Sequence, residues 1–286
     1  MERIEFLFNA LNATRHPNVL DVGANPLDKP PYSDLVDLNL CNLFAFEPQE
    51  EAFHALIEAK RPNETYFNAA VGHGEAQTLD LCKHSGFTSL HRPDLECAKI
   101  FPGFASQMSV ENRVNITPIE LDAIEDLPPQ DMLKIDVQGA EKQVIQTGKR
   151  TLVDCVAIVI ECRFARLYHA EPMVGEVDTY LRDQGFMIHK FISPKSACLN
   201  NSYLKNLRPR LVGSQLVDGD IVYIKDITAL HTFSDDQLKY LTLFSDAVFN
   251  SIDLVFFLLD ELMKREVIAK DVLHAYFTQL PDHLKR

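Results

Sequence analysis

Short apolar runs recur along the chain, separated by stretches in which apolar residues return at helical spacing. The runs are Val19 to Val22, Leu43 to Phe46, Thr65 to Val71, Leu79 to Cys82, Asn115 to Leu121, Met132 to Val137, Val156 to Glu161, Phe186 to Ile192 and Ile221 to Ile224. Several are apolar at nearly every position, as strands covered on both faces by helices must be. Residues 2–15 read as a leading helix that stops before Pro17. Glu50 to Lys60 reads as a helix ended by Arg61-Pro62, because proline lacks the N–H that a helix needs. Gly139 to Arg150 and Pro172 to Gln184 read as helices too, the second closed by Gly185 in a left-handed cap. Residues 83–112, rich in Ser, Pro, His and Phe, read as a long, partly ordered loop over the sheet.

Strand signals cease near residue 227. Ser234 to Asn250, Ser251 to Arg265 and Ala269 to Phe277 read as helices, with Ser234 and Ser251 as N-caps. The expectation is a doubly wound, mostly parallel α/β sheet over residues 1–227 and a C-terminal all-helical appendage over 228–286. The appendage would dock on the main domain or on a second copy, which leaves room for a homo-oligomer.

Composition narrows the function. A net charge of -13 over 286 residues disfavours a general nucleic-acid binder, since acidic surfaces repel phosphate backbones. Lys149-Arg150 and Arg208-Pro209-Arg210 are too short to count as a basic patch. The six cysteines form no CxxC pair, so neither a disulfide framework nor a zinc site is expected. The charged N-terminus does not read as a secretion signal, and the run Leu254 to Leu259 is too short to span a bilayer. These features read as a reduced, cytoplasmic protein.

Three strand ends carry chemistry. Val19-Leu20-Asp21-Val22-Gly23-Ala24-Asn25 is an apolar strand running into a small-residue turn, at the edge where open α/β sheets bind ligands. Phe44-Ala45-Phe46-Glu47-Pro48 is a second such strand, and its single acid lies 24 positions beyond Gly23. That spacing suits a carboxylate that holds the hydroxyls of a nucleoside's ribose. The turn continues with one glycine and the prolines Pro26, Pro30 and Pro31, which removes N–H donors that a pyrophosphate would want. NAD fits such a turn poorly, whereas S-adenosylmethionine carries an adenosine without phosphates. The third strand end is Leu133-Lys134-Ile135-Asp136-Val137-Gln138-Gly139-Ala140-Glu141. A lysine within a buried strand needs a carboxylate partner, so Lys134 belongs either to the site or to a structural ion pair.

Asp21-Val22-Gly23-Ala24-Asn25, Phe46-Glu47-Pro48, Asn68-Ala69-Ala70-Val71-Gly72, Thr88-Ser89-Leu90, Leu121-Asp122 and the Lys134 to Glu141 block occur in this order. The series resembles the FkbM-type methyltransferases, S-adenosylmethionine-dependent enzymes that O-methylate macrolide and sugar hydroxyls. The resemblance covers roughly residues 17–226 and favours a subgroup with the longer proline-containing loop and Gln at position 138. It implies that Asp21, Gly23, Ala24 and Asn25 contact the methionine portion of the cofactor or shape its turn. It further implies that Glu47, followed by Pro48, holds the ribose, that Asn68 and Ala69 flank the adenine, and that Asp136 lies beside the methyl group and the acceptor hydroxyl. Gly213-Ser214-Gln215-Leu216 and Asp220 to Tyr223 look like the family's closing strand.

An alcohol that attacks a sulfonium methyl must lose its proton, so a base within about 3 Å is expected. Asp136 is the first candidate and Glu161, at the end of Val156 to Glu161, the second. The two could instead share a divalent metal such as Mg²⁺, a reading that is not favoured. His73, His84, His91 and His169 fall in loops and are weaker candidates. Phe87, Phe101, Phe104 and Tyr168 could form a lid or a sugar-stacking surface, or merely anchor the long loop. The substrate expected is a hydroxyl of a small molecule or glycan. The competing class is a catalytically silent nucleoside-binding module that regulates or scaffolds.

Overall fold

The computed structural model describes residues 2–26 and 29–286; Leu27 and Asp28 of the proline-containing stretch lie outside them. The chain runs α1 (Glu2–Leu11), β1 (Asn18–Val22), α2 (Ser33–Asp37), β2 (Asn42–Phe46), α3 (Glu50–Glu58), β3 (Glu64–Phe67) and β4 (Gln77–Cys82). Next come α4 (Leu95–Ala98), α5 (Phe104–Gln107), β5 (Val110–Ile116), β6 (Met132–Ile135), α6 (Glu141–Thr147), α7 (Lys149–Asp154) and β7 (Ala157–Arg163). The rest is α8 (Val174–Asp183), β8 (Phe186–Ala197), α9 (Pro209–Val212), β9 (Gln215–Lys225), α10 (Asp235–Ala247), α11 (Ile252–Lys264) and α12 (Val272–Thr278).

Seven strands form one sheet in the order β3-β2-β1-β6-β7-β9-β8. Strands β3, β2, β1, β6 and β7 pair in parallel, while β9 runs antiparallel to both β7 and β8. The order reverses between β1 and β6, which makes their carboxyl ends the switch point at which such sheets bind ligands.

Side chains alternate across this sheet, and each face has its own cover. Val19, Met132, Val159 and Val222 face one core with α1, α10, α11 and α12. Leu20, Leu133, Ile158 and Ile221 face the other, where α6 and α8 supply Val144, Ile145, Val177 and Leu181. The C-terminal helices therefore close a face of the sheet within one chain. Ser234 starts α10 with a reciprocal capping box to Gln237, and α10 is buried continuously from Leu238 to Asp246. Its polar members are satisfied: Asp246 pairs with Arg3 at 2.7 Å and accepts from the Tyr276 hydroxyl at 3.1 Å.

Several expectations from the sequence change. The leading helix ends at Leu11, and Asn12 takes a left-handed conformation. β4 and β5 leave the main sheet and pair antiparallel with each other. The strand expected at Asn115 to Leu121 lies earlier, at Val110–Ile116, with Leu121 opening a 3₁₀ turn. Residues 83–112 hold α4, α5 and a 3₁₀ turn rather than a partly ordered loop, because Ala98, Phe101 and Met108 pack with Leu167, Tyr168 and Val217 in a third small core.

Candidate active site

The site starts from one ion pair built into the sheet. Asp21 of β1, buried, and Lys134 of β6, half-buried, are direct neighbours in register, with Lys134 Nζ 3.2 Å from Asp21 Oδ1. Burial alone would lower the Lys134 ammonium, but the carboxylates of Asp21 and Asp136 outweigh it and hold its pKa above the ordinary value. Burial raises Asp21, against the pull of Lys134 and Tyr32. Tyr32, delivered by the proline-containing loop, donates its hydroxyl to Asp21 Oδ2 at 2.5 Å. Asp21 is thus held from both sides, Oδ1 by the Lys134 ammonium and Oδ2 by the Tyr32 hydroxyl.

The turn after β1 is pressed onto the turn after β6. Gly23 has φ +91°, and a Cβ there would stand 1.9 Å from the Asp136 carbonyl oxygen, so only glycine fits. Gly23 and Ala24 both donate backbone N–H groups to the Phe46 carbonyl at 3.0 Å, which draws the end of β2 and Glu47 to the same place. Glu47 Oε1 accepts from the Gln49 N–H at 2.7 Å. Burial raises the Glu47 carboxyl to about 7, opposed by that hydrogen bond.

After β6 the chain turns through Gln138, at φ +55°, and Gly139. Glu141 folds back to accept from the N–H groups of Val137 and Gly139 at 3.0–3.1 Å, so this acid of the motif holds the turn itself. The Gln138 side chain then spans two carboxylates: its Nε2 donates to Asp136 Oδ1 at 2.7 Å and to Glu161 Oε2 at 2.9 Å. Its Oε1 accepts from Arg163 at 2.6 Å. Arg163 is buried among Asp218 at 2.7 Å, Glu161 at 3.0 Å and Glu171 at 3.5 Å, and Lys195 reaches Glu161 at 3.1 Å.

The two carboxyls spanned by Gln138 are pushed apart. Burial would raise Asp136, but Lys134 and the Gln138 amide outweigh it and leave its pKa below the ordinary value. Burial raises Glu161 to about 8, with Arg163 opposing and Asp136 adding to the rise. The surroundings thus favour the ionised form of Asp136 and let Glu161 hold a proton more readily, the kind of separation that divides base from acid in paired carboxyls.

A cavity of about 820 Å³ opens over these turns. Asp21, Gly23, Ala24, Asn25, Glu47, Pro48, Ala69, Lys134 and Asp136 line it; the histidines 73, 84, 91 and 169 do not. Asn68 stands outside the lining and donates to the Glu47 carbonyl at 3.0 Å, which places it behind the acid. Glu161 lies in a smaller adjoining cavity of about 190 Å³, with Phe87, Phe104, Lys195 and Asp218. Gly86, Gln138 and Lys195 border both. The four aromatics divide accordingly. Phe101 and Tyr168 are buried in the third core, and the Tyr168 hydroxyl holds the Phe87 carbonyl at 3.0 Å, while Phe87 and Phe104 face the small cavity.

The methyltransferase FkbM domain matches residues 21–188, more than half of the chain, from Asp21 of the first strand-end motif through the other two. The chain belongs to the FkbM methyltransferase family. It is an S-adenosylmethionine-dependent methyltransferase by that membership. A search of curated proteins gives no match. Among solved structures, the precorrin-6y C5,15-methyltransferase of Geobacter metallireducens GS-15 is 13% identical, with a TM-score of 0.36 over 79% of this chain and 88% of that one. The StiE O-MT structure is 11% identical, with a TM-score of 0.37 over 84% and 77%. At such values the likeness says nothing about residues or substrate.

In this methyltransferase one carboxylate oxygen each of Asp136, Glu141 and Glu161 lies within 4.8 Å of the others, the grouping that suits a cation. The donor set does not fit one. Glu141 is committed to the turn, the Gln138 amide hydrogens already bridge the other two acids, and Glu161 already pairs with Arg163 and Lys195. Sequence reading missed Tyr32, Arg163, Lys195 and the bridging role of Gln138. Only Gln138 sits in a motif; the others reach the site through a loop or from strands distant in the chain.

Proposed function

We propose that this methyltransferase O-methylates a hydroxyl of a sugar, glycan or secondary metabolite, with the cofactor in the large cavity and the acceptor in the small one. The observation that carries the reading is the junction of the two cavities at Gln138, which holds the ionised Asp136 beside a compartment walled by two phenyl rings and polar groups. Aromatic faces opposite carboxyl and ammonium groups are the chemistry that a polyhydroxylated ring uses. A cavity of about 820 Å³ is within the usual range for small-molecule sites, roughly 300–1,000 Å³. S-adenosylmethionine suits this lining: the carboxyl groups of Asp21 and Asp136 favour a cationic ligand, and Glu47 meets the ribose diol.

The bound cofactor supplies a sulfonium methyl. The protein's contribution is to seat the acceptor oxygen in line with that methyl and to hold Asp136 where the hydroxyl proton is lost. Positioning of this kind can supply roughly 7–11 kcal/mol. Lys195, held beside Glu161 where the two cavities meet, donates toward a neighbouring hydroxyl of the acceptor.

The test has two readings. S-adenosylhomocysteine at a hundred times its dissociation constant adds about 2.7 kcal/mol of stability, which raises the melting temperature by roughly 5–10 °C. Asp136→Asn should keep that shift and lose about 10²–10⁴-fold in turnover on an accepted sugar or alcohol. Full turnover in the variant would remove Asp136 from the chemistry. A shift in the native chain with no turnover on any hydroxylated acceptor would favour the silent binding module.

A further inference from the structure

Residues 184–217 contain no acid and five cations, Lys190, Lys195, Lys205, Arg208 and Arg210, in a chain of net charge -13. Lys190 and Lys195 have partners in Phe249 O, Glu161 and Asp218. Among the described residues, Lys205, Arg208 and Arg210 make no ion pair. They lie in the connection between β8 and β9, which register places at the carboxyl edge of the parallel strands: Ala197 pairs with Gln215, and Asp218 with Arg163 at the end of β7. The cavities open at this same edge.

The connection is anchored but not covered. Cys198 is buried, Asn200 donates its N–H to the Ile100 carbonyl at 2.8 Å and its side chain to the Lys99 carbonyl at 2.5 Å. Gly213 packs so closely that a Cβ would stand 2.8 Å from Cys198 N. Yet every residue from 199 to 212 except Leu204 is exposed. Tyr203 is 71% and Leu211 75% exposed, and Leu199, Leu207 and Val212 are exposed with them. Large apolar side chains on a fixed scaffold and bare to water mark a contact surface.

We infer that the β8–β9 connection docks this protein on an anionic lipid surface, with the apolar side chains entering the headgroup layer and Lys205, Arg208 and Arg210 facing the lipid charge. Leucine, tyrosine and unpaired basic residues together form the composition of an interfacial anchor. A second copy of the chain is a poorer occupant: the exposed residues of 199–212 are one short connection, well below the roughly 800 Å² and 20–30 residues per partner of a stable protein interface. Docking there turns the mouth of the site toward hydroxyls carried at the membrane.

Flotation of the full chain with phosphatidylcholine vesicles, with and without phosphatidylserine, tests this. The chain should float with the mixed vesicles and not the neutral ones, and high salt should release it. Each cation contributes about fivefold, so Lys205→Glu, Arg208→Glu and Arg210→Glu together should weaken partitioning at least 100-fold, roughly. Tyr203→Ser with Leu211→Ser, both surface changes, should weaken it while the melting temperature and circular dichroism stay as in the native chain. Equal flotation with neutral vesicles, or an unchanged triple variant, would overturn the inference. So would concentration-dependent dimers that Leu211→Ser disperses while vesicles are ignored.

Discussion

At the scale of single residues, the site is organised by groups whose charge is set by their neighbours. Glu47 is the clearest case. Its carboxyl is held at about 7 by burial, above the ordinary 4.5, so near neutrality it is partly protonated in the free protein. A ribose diol donates both of its hydroxyls to the carboxylate form, whereas the neutral carboxyl turns one oxygen into a donor. Affinity for S-adenosylhomocysteine should therefore rise with pH between about 5 and 8 and then level off. Glu47→Gln should cost about 1.5–3 kcal/mol of binding and flatten that profile. Calorimetric titration across the range decides it, and a sloping profile in the variant would assign the effect to another group. The Asp-x-Gly turn and the single acid at the β2 end were legible because each stands out of an apolar run. Tyr32 was not: nothing local tells a tyrosine after two prolines that Asp21 waits 11 positions upstream.

Elements were legible where their cause is local. Ser234 and Gln237 form their capping box, and Gly185 ends α8 with φ +82°, because the chemistry spans only a few residues. Ser234→Ala should cost about 1 kcal/mol, seen as a fall of roughly 2–4 °C in melting temperature. Ser251, read in the same way, begins α11 without a side-chain cap; its hydroxyl meets His189 of β8 at 2.8 Å instead. β4 and β5 show the limit. The run Leu79 to Cys82 marked β4, but the strand expected at Asn115 to Leu121 overlaps β5 only at its end; β5 is mostly exposed, and its pairing with β4 rather than with the main sheet is decided by contacts 33 residues apart, such as Asp80 with Arg113 at 2.8 Å.

For the whole molecule, the division near residue 227 has a direct consequence. One core joins Ile4, Leu7, Val19, Met132 and Val222 to Leu241, Phe244, Leu258 and Tyr276, so the C-terminal helices complete the hydrophobic contact of one sheet face. A chain ending at 227 would leave that face bare and should be recovered aggregated or without a cooperative melting transition. A soluble fragment with a sharp transition would show that residues 1–227 fold alone. The sequence by itself determined the alternation of strands and helices, the three strand-end motifs and their order, because hydrophobic period and turn chemistry act over a few residues. Tertiary structure alone decided which strands share a sheet, that Gln138 bridges Asp136 to Glu161, and that Arg163 and Lys195 surround them. It also decided that the cations of the β8–β9 connection stand apart from the acids that dominate the chain. Those outcomes depend on register and burial, which bring together residues that no local pattern relates.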